Sequence, residues 1–318
     1  MRSQLHELEL VYPPVSNQEA EWVKNDPEVL NQLRSSNLYF IGQKPETTYS
    51  FNDDVKEKVG EEKRIYFNYN SGTETMSGYV DLQILALHTK NSDPINFEIE
   101  LGPKMIRIWN VNDGEVAGWY TTDKILYDKS LNVPCIFGMN EYRKFFTYNL
   151  HYVGISKKDD SFTRLMVKPH DKRLRILSNE HPLNSGSRVT DEVVLFFFRV
   201  KSLELKVFKT SEDFEELGKT ELDDKIRIVA DAEKAFIKIM NSKYNQVKFE
   251  NYPYSTDGLF SSSVERHTFS IDEDITFITD DNLIRGVKKD LFGLKQSDFI
   301  SISKKSVELI KLDDDNFE

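Results

Sequence analysis

The chain of 318 residues has almost no cysteine: Cys135 stands alone. That excludes an internal disulfide and a cysteine-based zinc cluster. A single thiol fits a reducing cytoplasm, which is where we expect the protein. As a residue type, a lone Cys is more often a small buried hydrophobe than a nucleophile. Also lacking is an apolar run long enough to span a bilayer, so no membrane partner is expected. The longest run, Val193-Val194-Leu195-Phe196-Phe197-Phe198, reads as a buried strand. The first residues, Met1-Arg2-Ser3-Gln4-Leu5-His6-Glu7, lack the apolar core of a signal peptide. Positive charge is in short supply. Forty-two Lys and Arg face 53 Asp and Glu, a net charge of −11, which argues against a protein wholly devoted to nucleic acid.

What is present points to a folded protein with a large core. Hydrophobic residues are 39% and charged residues 30%, as in soluble globular chains, and the length allows two domains. Aromatics reach 12%, with 21 Phe and 14 Tyr, which favours strands. The charge is uneven. Residues 142–175 hold nine Lys or Arg against three Asp, a balance of +6, which leaves −17 for the rest. Such a basic island suits a phosphate-binding site and suits a solvated helix face equally well.

Three stretches differ in pattern. Residues 1–132 open with a helical segment over 17–36, in which Pro27 fits a first turn after Asn25-Asp26. They continue with strand-like runs at Arg64–Tyr69, Gly78–Leu85 and Met105–Trp109, punctuated by Asn70-Ser71-Gly72 and Asn112-Asp113-Gly114. This is a β-rich N-terminal region. Residues 133–255 mix strands and helices. Residues 256–318 return to short strands, at His267–Ile271, Ile275–Ile278 and Phe299–Ile302, before an acidic end at Asp313–Glu318 that is expected to fray.

The middle stretch carries the chemistry-bearing residues. Glu141–Phe146 and His151–Ser156 read as two strands around a turn at Thr147-Tyr148-Asn149. Asp159-Asp160-Ser161 reads as a cap for a helix through Phe162, Arg164, Leu165 and Met166, which Pro169 should break. His170 follows, as a base, a phosphate contact or a surface residue. Further on, Val229–Met240 has apolar residues at helical spacing, at 229, 232, 236 and 239 or 240, with Glu233 beside the stripe. That run leads to Lys243-Tyr244-Asn245. Read blandly, Tyr152-Val153-Gly154 is a buried strand whose glycine admits a close backbone approach, and Glu233 is a solvated residue on an amphipathic helix. Asp191-Glu192, before the long apolar run, could bind a metal but reads better as a strand-entry cap.

Taken together, these residues resemble the GIY-YIG endonucleases over about 110 residues. Tyr152-Val153-Gly154 is similar to the second signature, and Tyr142, ten residues earlier, lies near the family spacing for the first-signature tyrosine. Arg164, twelve residues after Tyr152, is similar to the helix arginine. Glu233, four residues before Ile237-Lys238 and twelve before Asn245, matches the register of the metal-binding glutamate, most closely that of nucleotide-excision-repair incision subunits. The match departs from the family in two ways. The first signature here is Asn140-Glu141-Tyr142, without its Gly or Ile, and Cys135-Ile136-Phe137-Gly138 competes for the first strand. The segment between Arg164 and Glu233 is also long, with apparent insertions at Asn184–Ser187 and Thr210–Leu217.

The resemblance implies an α+β fold: a small mixed sheet with flanking helices at 133–255, beside the β-rich N-terminal region and the short β-containing tail. It implies hydrolysis of phosphodiester bonds in DNA, with one Mg²⁺ (or Mn²⁺) on Glu233. Arg164 would hold phosphate, Tyr142 and Tyr152 would lie near the attacking water, His170 would assist, and Asn245 would buttress the site. A homodimer would allow cleavage of both strands, and the N-terminal region could recognise a protein partner. The alternative is a non-catalytic protein that binds nucleic acid or protein and keeps a degenerate form of the fold.

Overall fold

The computed structural model describes residues 2–88, 97–157, 159–168, 170–206, 224–288 and 297–312. The insertion read at Thr210–Leu217, the acidic end at 313–318, Lys158 and Pro169 lie outside them. The architecture is mixed α+β. In chain order the strands are β1 (Arg2–Leu10), β2 (Val15–Ser16), β3 (Leu38–Gln43), β4 (Thr47–Ser50), β5 (Arg64–Ser71), β6 (Glu74–Asp81), β7 (Phe97–Leu101), β8 (Met105–Asn110), β9 (Val116–Thr121), β10 (Ile136–Gly138), β11 (Thr147–Ile155), β12 (Val193–Lys206), β13 (Arg266–Ile271), β14 (Thr276–Ile278), β15 (Leu283–Arg285), β16 (Phe299–Ser303) and β17 (Val307–Ile310).

Ten of these strands form one sheet in the order β15-β14-β11-β3-β12-β1-β13-β16-β17, with β2 added against β12. The backbone N–H of Val287 reaches Ile271 O at 3.1 Å, and that of Gly286 reaches Ile275 O at 2.8 Å, so the chain after β15 returns to β13 and the sheet is nearly closed. Strands from all three stretches share this sheet, and pairings cross both boundaries read from the sequence: β1 pairs with β12 and β13, and β3 pairs with β11 and β12. Two smaller sheets, β10-β6-β5-β4 and β7-β8-β9, lie in the chain that connects β3 to β11.

The apolar run Val193–Phe198 forms the start of central strand β12 and is buried throughout. Alternation along the strand sends its side chains to opposite faces. Phe196 and Phe198 join Phe40, Phe236 and Phe277 in one core, while Leu195 and Phe197 join Tyr39, Ile41, Phe162 and Leu165 in a second. Phe277 meets Phe40 and Phe196 edge-on, with centroids 5.3 Å and 4.9 Å apart. Each such ring removed from water contributes about 1.5–3 kcal/mol.

Several local expectations change. Glu141–Phe146 does not form a strand; Tyr142–Phe145 is a single helical turn. The residues read as the following turn belong to one nine-residue strand, because Thr147, Tyr148 and Asn149 pair with β14 while β11 pairs with β3 from Asn149 to Ile155, with a bulge between Leu150 and Tyr152. Ile136–Gly138 is a strand, but it pairs with β6 in a smaller sheet. The strand from Gly78 stops at Asp81, whose carboxylate accepts hydrogen bonds from the Gln83 and Ile84 amides and starts a helix at Leu82.

Candidate functional site

β3 and β11 lie side by side and antiparallel, with Tyr39 directly opposite Gly154. Tyr152, two residues from Gly154, is the diagonal neighbour of Tyr39 on the same face. The two phenol rings are 6.1 Å apart. Gly154 makes this possible. A Cβ there would sit 2.6 Å from Tyr152 Cε1 and 2.7 Å from the Tyr39 hydroxyl. The glycine of Tyr152-Val153-Gly154 is therefore the floor under the tyrosine pair.

Arg164 lies on a π-helical turn, Thr163–Val167, a form frequent at functional sites. Asp160 anchors its start by accepting hydrogen bonds from the Thr163 amide at 2.7 Å and the Thr163 hydroxyl at 2.8 Å. The turn ends at Lys168, and His170 caps the next helix, Asp171–Asn179. His170 Nδ1 accepts a hydrogen bond from the Arg173 amide at 3.0 Å. In a neutral ring the proton is then on Nε2, which lies 2.9 Å from the Tyr39 hydroxyl oxygen and donates to it. Burial first, and then Arg164 and Arg173, lower the His170 pKa to about 4, so the ring stays neutral at ordinary pH. The Tyr152 ring also meets His170 edge-on at 5.6 Å.

Glu233 is on the helix Lys225–Met240 and is half-buried. Burial raises its pKa to about 7, against Lys234, Lys157 and the Ile155 amide, which favour the carboxylate. Both lysines are held by Asp257, each at 2.9 Å, and among the described residues Glu233 has no ion pair of its own. Its charge and that of Arg164 both reach the tyrosines. Burial raises Tyr39 and Tyr152; Glu233 adds to the rise and Arg164 opposes it. Arg164 is exposed and has no carboxylate partner among the described residues. Asn245 lies behind the site. Its Oδ1 accepts from the Val153 amide at 2.9 Å and its Nδ2 donates to Val153 O at 2.8 Å, which clamps β11 beside Tyr152.

Tyr39, Tyr152 and His170 thus meet, within reach of the charges of Arg164 and Glu233 and with Asn245 in support. Tyr142 does not join them. Its hydroxyl donates to Asp274, and its ring packs against the other core. Tyr39 stands in its place, 113 positions before Tyr152, because the two smaller sheets are inserted between β3 and β11. Spacing arguments fail over such a distance. The local signal is Asn37-Leu38-Tyr39 opening an apolar strand, too short to recognise alone. No protein-family model, curated protein or solved structure matches this chain.

Other candidates have structural partners. Glu192 accepts from the Leu183 and Asn184 amides and from Gln43 and Ser187, so it organises a loop, and Asp191 pairs with Arg188 at 3.0 Å. Cys135 is buried with Sγ 3.3 Å from the Tyr120 hydroxyl, and burial raises its pKa, the reverse of a nucleophile's need. Within the basic island, Arg143 pairs with Asp274, Lys144 with Glu141, Lys157 with Asp257 and Lys168 with Asp159. Lys172 and Arg175 share Asp171 and Arg173 bonds Asn17, so among the described island residues Arg164 is the unpaired charge that reaches the tyrosines. Among the described residues no group of three His, Cys, Asp or Glu is placed to hold a metal, and no helix is long and apolar enough to cross a membrane.

Proposed function

We propose that the chain is a divalent-metal-dependent endonuclease of the GIY-YIG kind, hydrolysing phosphodiester bonds in DNA. The observation that carries this reading is the Tyr39–Tyr152 pair on adjacent strands, hydrogen-bonded by His170 and lying in the fields of Arg164 and Glu233. The donor set for a metal is one carboxylate. Glu233 fits that role because it is half-buried and has no ion pair among the described residues, so a bound cation would favour the ionised carboxylate that burial opposes. A hard cation that keeps most of its ligands as water and phosphate oxygen suits one carboxylate, which favours Mg²⁺ or Mn²⁺. Bound there, the ion would supply positive charge against the phosphate and lower the pKa of nearby hydroxyls and water.

The chain's own residues divide the remaining work. Arg164, exposed, would grip two phosphate oxygens with its planar fork and meet the charge that develops on them. Tyr39 and Tyr152 orient the attacking water. The fixed Nε2–H of His170 donates to Tyr39 Oη and so turns the Tyr39 proton toward the Tyr152 hydroxyl. Asn245 keeps β11, and with it Tyr152, in register. The acidic remainder of the chain makes the basic island a local feature, so binding rests on few phosphate contacts and is expected to be salt-sensitive.

The deciding experiment incubates the protein with supercoiled plasmid and Mg²⁺, beside EDTA and Glu233→Gln controls. Nicked or linear product only with metal and Glu233 supports the reading. Intact plasmid under all conditions, with retained DNA binding, favours the non-catalytic alternative.

A further inference from the structure

A second cavity, of about 220 Å³, lies among Glu19, Trp22, Pro103, Met105 and Asp123 and is unrelated to the tyrosine site. Two cations, one buried and one partly buried, lie near its acidic wall, and each is taken. Lys44 Nζ is 2.6 Å from Asp123 Oδ1, which also accepts from the Tyr148 hydroxyl at 2.9 Å. Lys124 is paired with Asp128. The other charged lining groups are matched too: Lys104 with Glu46 at 2.6 Å, Glu100 with Arg107 at 2.9 Å, and Asp191 with Arg188 at 3.0 Å.

Glu19 is the carboxylate left over. It is 6% exposed and lines the cavity, yet it has no ion pair among the described residues. The hydroxyl of Tyr12, close enough to feel the charge of Glu19, is buried without a hydrogen-bond partner. Burial first, and then the neighbouring Asp123, raise the Glu19 pKa to about 8, against the Ser16 amide and Lys124, which favour the carboxylate. Trp22, one helical turn after Glu19 and with an exposed indole, also lines the cavity, as do Pro103 and Met105.

We propose that this cavity binds a small primary alkylammonium, with Glu19 as its counter-ion and Trp22 against its charge and stem. An organic cation fits better than a metal ion for two reasons. An indole face attracts ammonium groups. The volume falls below the roughly 300–1,000 Å³ of drug-sized sites, which points to a short-stemmed ligand. This inference stands apart from the nuclease reading.

The test is a calorimetric titration of the full chain with n-butylammonium chloride and, separately, with the neutral isostere n-butanol at matched ionic strength. A parallel NMR titration follows the Trp22 indole N–H. The expected result is saturable binding of the ammonium, little or no binding of the alcohol, a moving Trp22 signal, and at least roughly tenfold weaker binding by Glu19→Gln, the scale of losing one buried charged partner. Trp22→Ala, a substitution at an exposed position, serves if Glu19→Gln does not fold, and should also weaken binding. Equal binding of the alcohol, unchanged binding by the folded variants, a static Trp22 signal or no saturable binding at all would each overturn the proposal.

Discussion

The Tyr39 hydroxyl accepts a hydrogen bond from His170 Nε2 at 2.9 Å, and the direction of that bond is set by the backbone of another element. Because His170 Nδ1 caps the helix at Asp171, the ring can present only Nε2–H to Tyr39. A helix cap therefore decides which ring nitrogen of His170 carries the proton, and so makes the Tyr39 hydroxyl the acceptor. The arrangement also depends on Gly154, without which the Tyr39 ring would have no room.

Tyr39→Phe should remove the acceptor and leave the packing in place. Cleavage should fall by about 10²–10⁴, the range for a positioned proton-transfer group. The orphaned His170 N–H should cost about 1–3 kcal/mol in a urea melt. Cleavage within threefold of wild type would remove Tyr39 from the reaction.

Gly154→Ala puts a methyl group where Tyr39 and Tyr152 meet. Overpacking of this kind costs about 1–3 kcal/mol, and displacement of the pair should reduce single-turnover cleavage about a hundredfold. Denaturant unfolding and a single-turnover assay measure the two effects separately. A variant as stable and active as wild type would show that the close approach carries no function.

For Glu233→Gln, activity and stability should move in opposite directions. Metal-dependent cleavage should drop by roughly a thousandfold or more, since an essential ligand is lost. The folded pKa of Glu233, about 7, lies above the ordinary glutamate value of 4.5, so the native state holds the proton more tightly. Its contribution to stability is then fully present below about pH 4.5, declines through pH 7 and is absent above. At pH 8 the glutamine variant, with no charge to desolvate, should be as stable as wild type or more so, by up to about 3 kcal/mol. Thermal melts from pH 4 to 8 check this, and a variant markedly less stable at pH 8 would mean that an unseen partner holds the carboxylate.

Arg164→Lys keeps the charge and loses the fork. Turnover should fall on the order of a hundredfold, as for one preorganised donor, with little change in DNA affinity. An anisotropy titration beside single-turnover kinetics distinguishes the two. If binding weakens sharply while cleavage persists, Arg164 only positions the backbone.

The sequence by itself determined the elements whose signals are local. Helical spacing at 229, 232 and 236 marks the helix Lys225–Met240, with Glu233 beside its apolar stripe. The run Val193–Phe198 marks a strand buried on both faces, and Asp26-Pro27 marks a helix start that the Asp26 carboxylate caps. The Tyr-Val-Gly stretch, the step from Tyr152 to Arg164 and the step from Glu233 to Asn245 are local patterns, each within a dozen residues. The partner of Tyr152 is not local. Tyr39 and Tyr142 have equal claims as phenols, and only strand pairing chooses between them: β3 hydrogen-bonds to β11, whereas Tyr142 falls on a helical turn against Asp274. The role of His170 was likewise undecided, since its tautomer depends on an amide three residues ahead and a phenol 131 positions behind. Register between distant strands is set by which faces can be buried together, a property of the whole sheet. No window of sequence contains it.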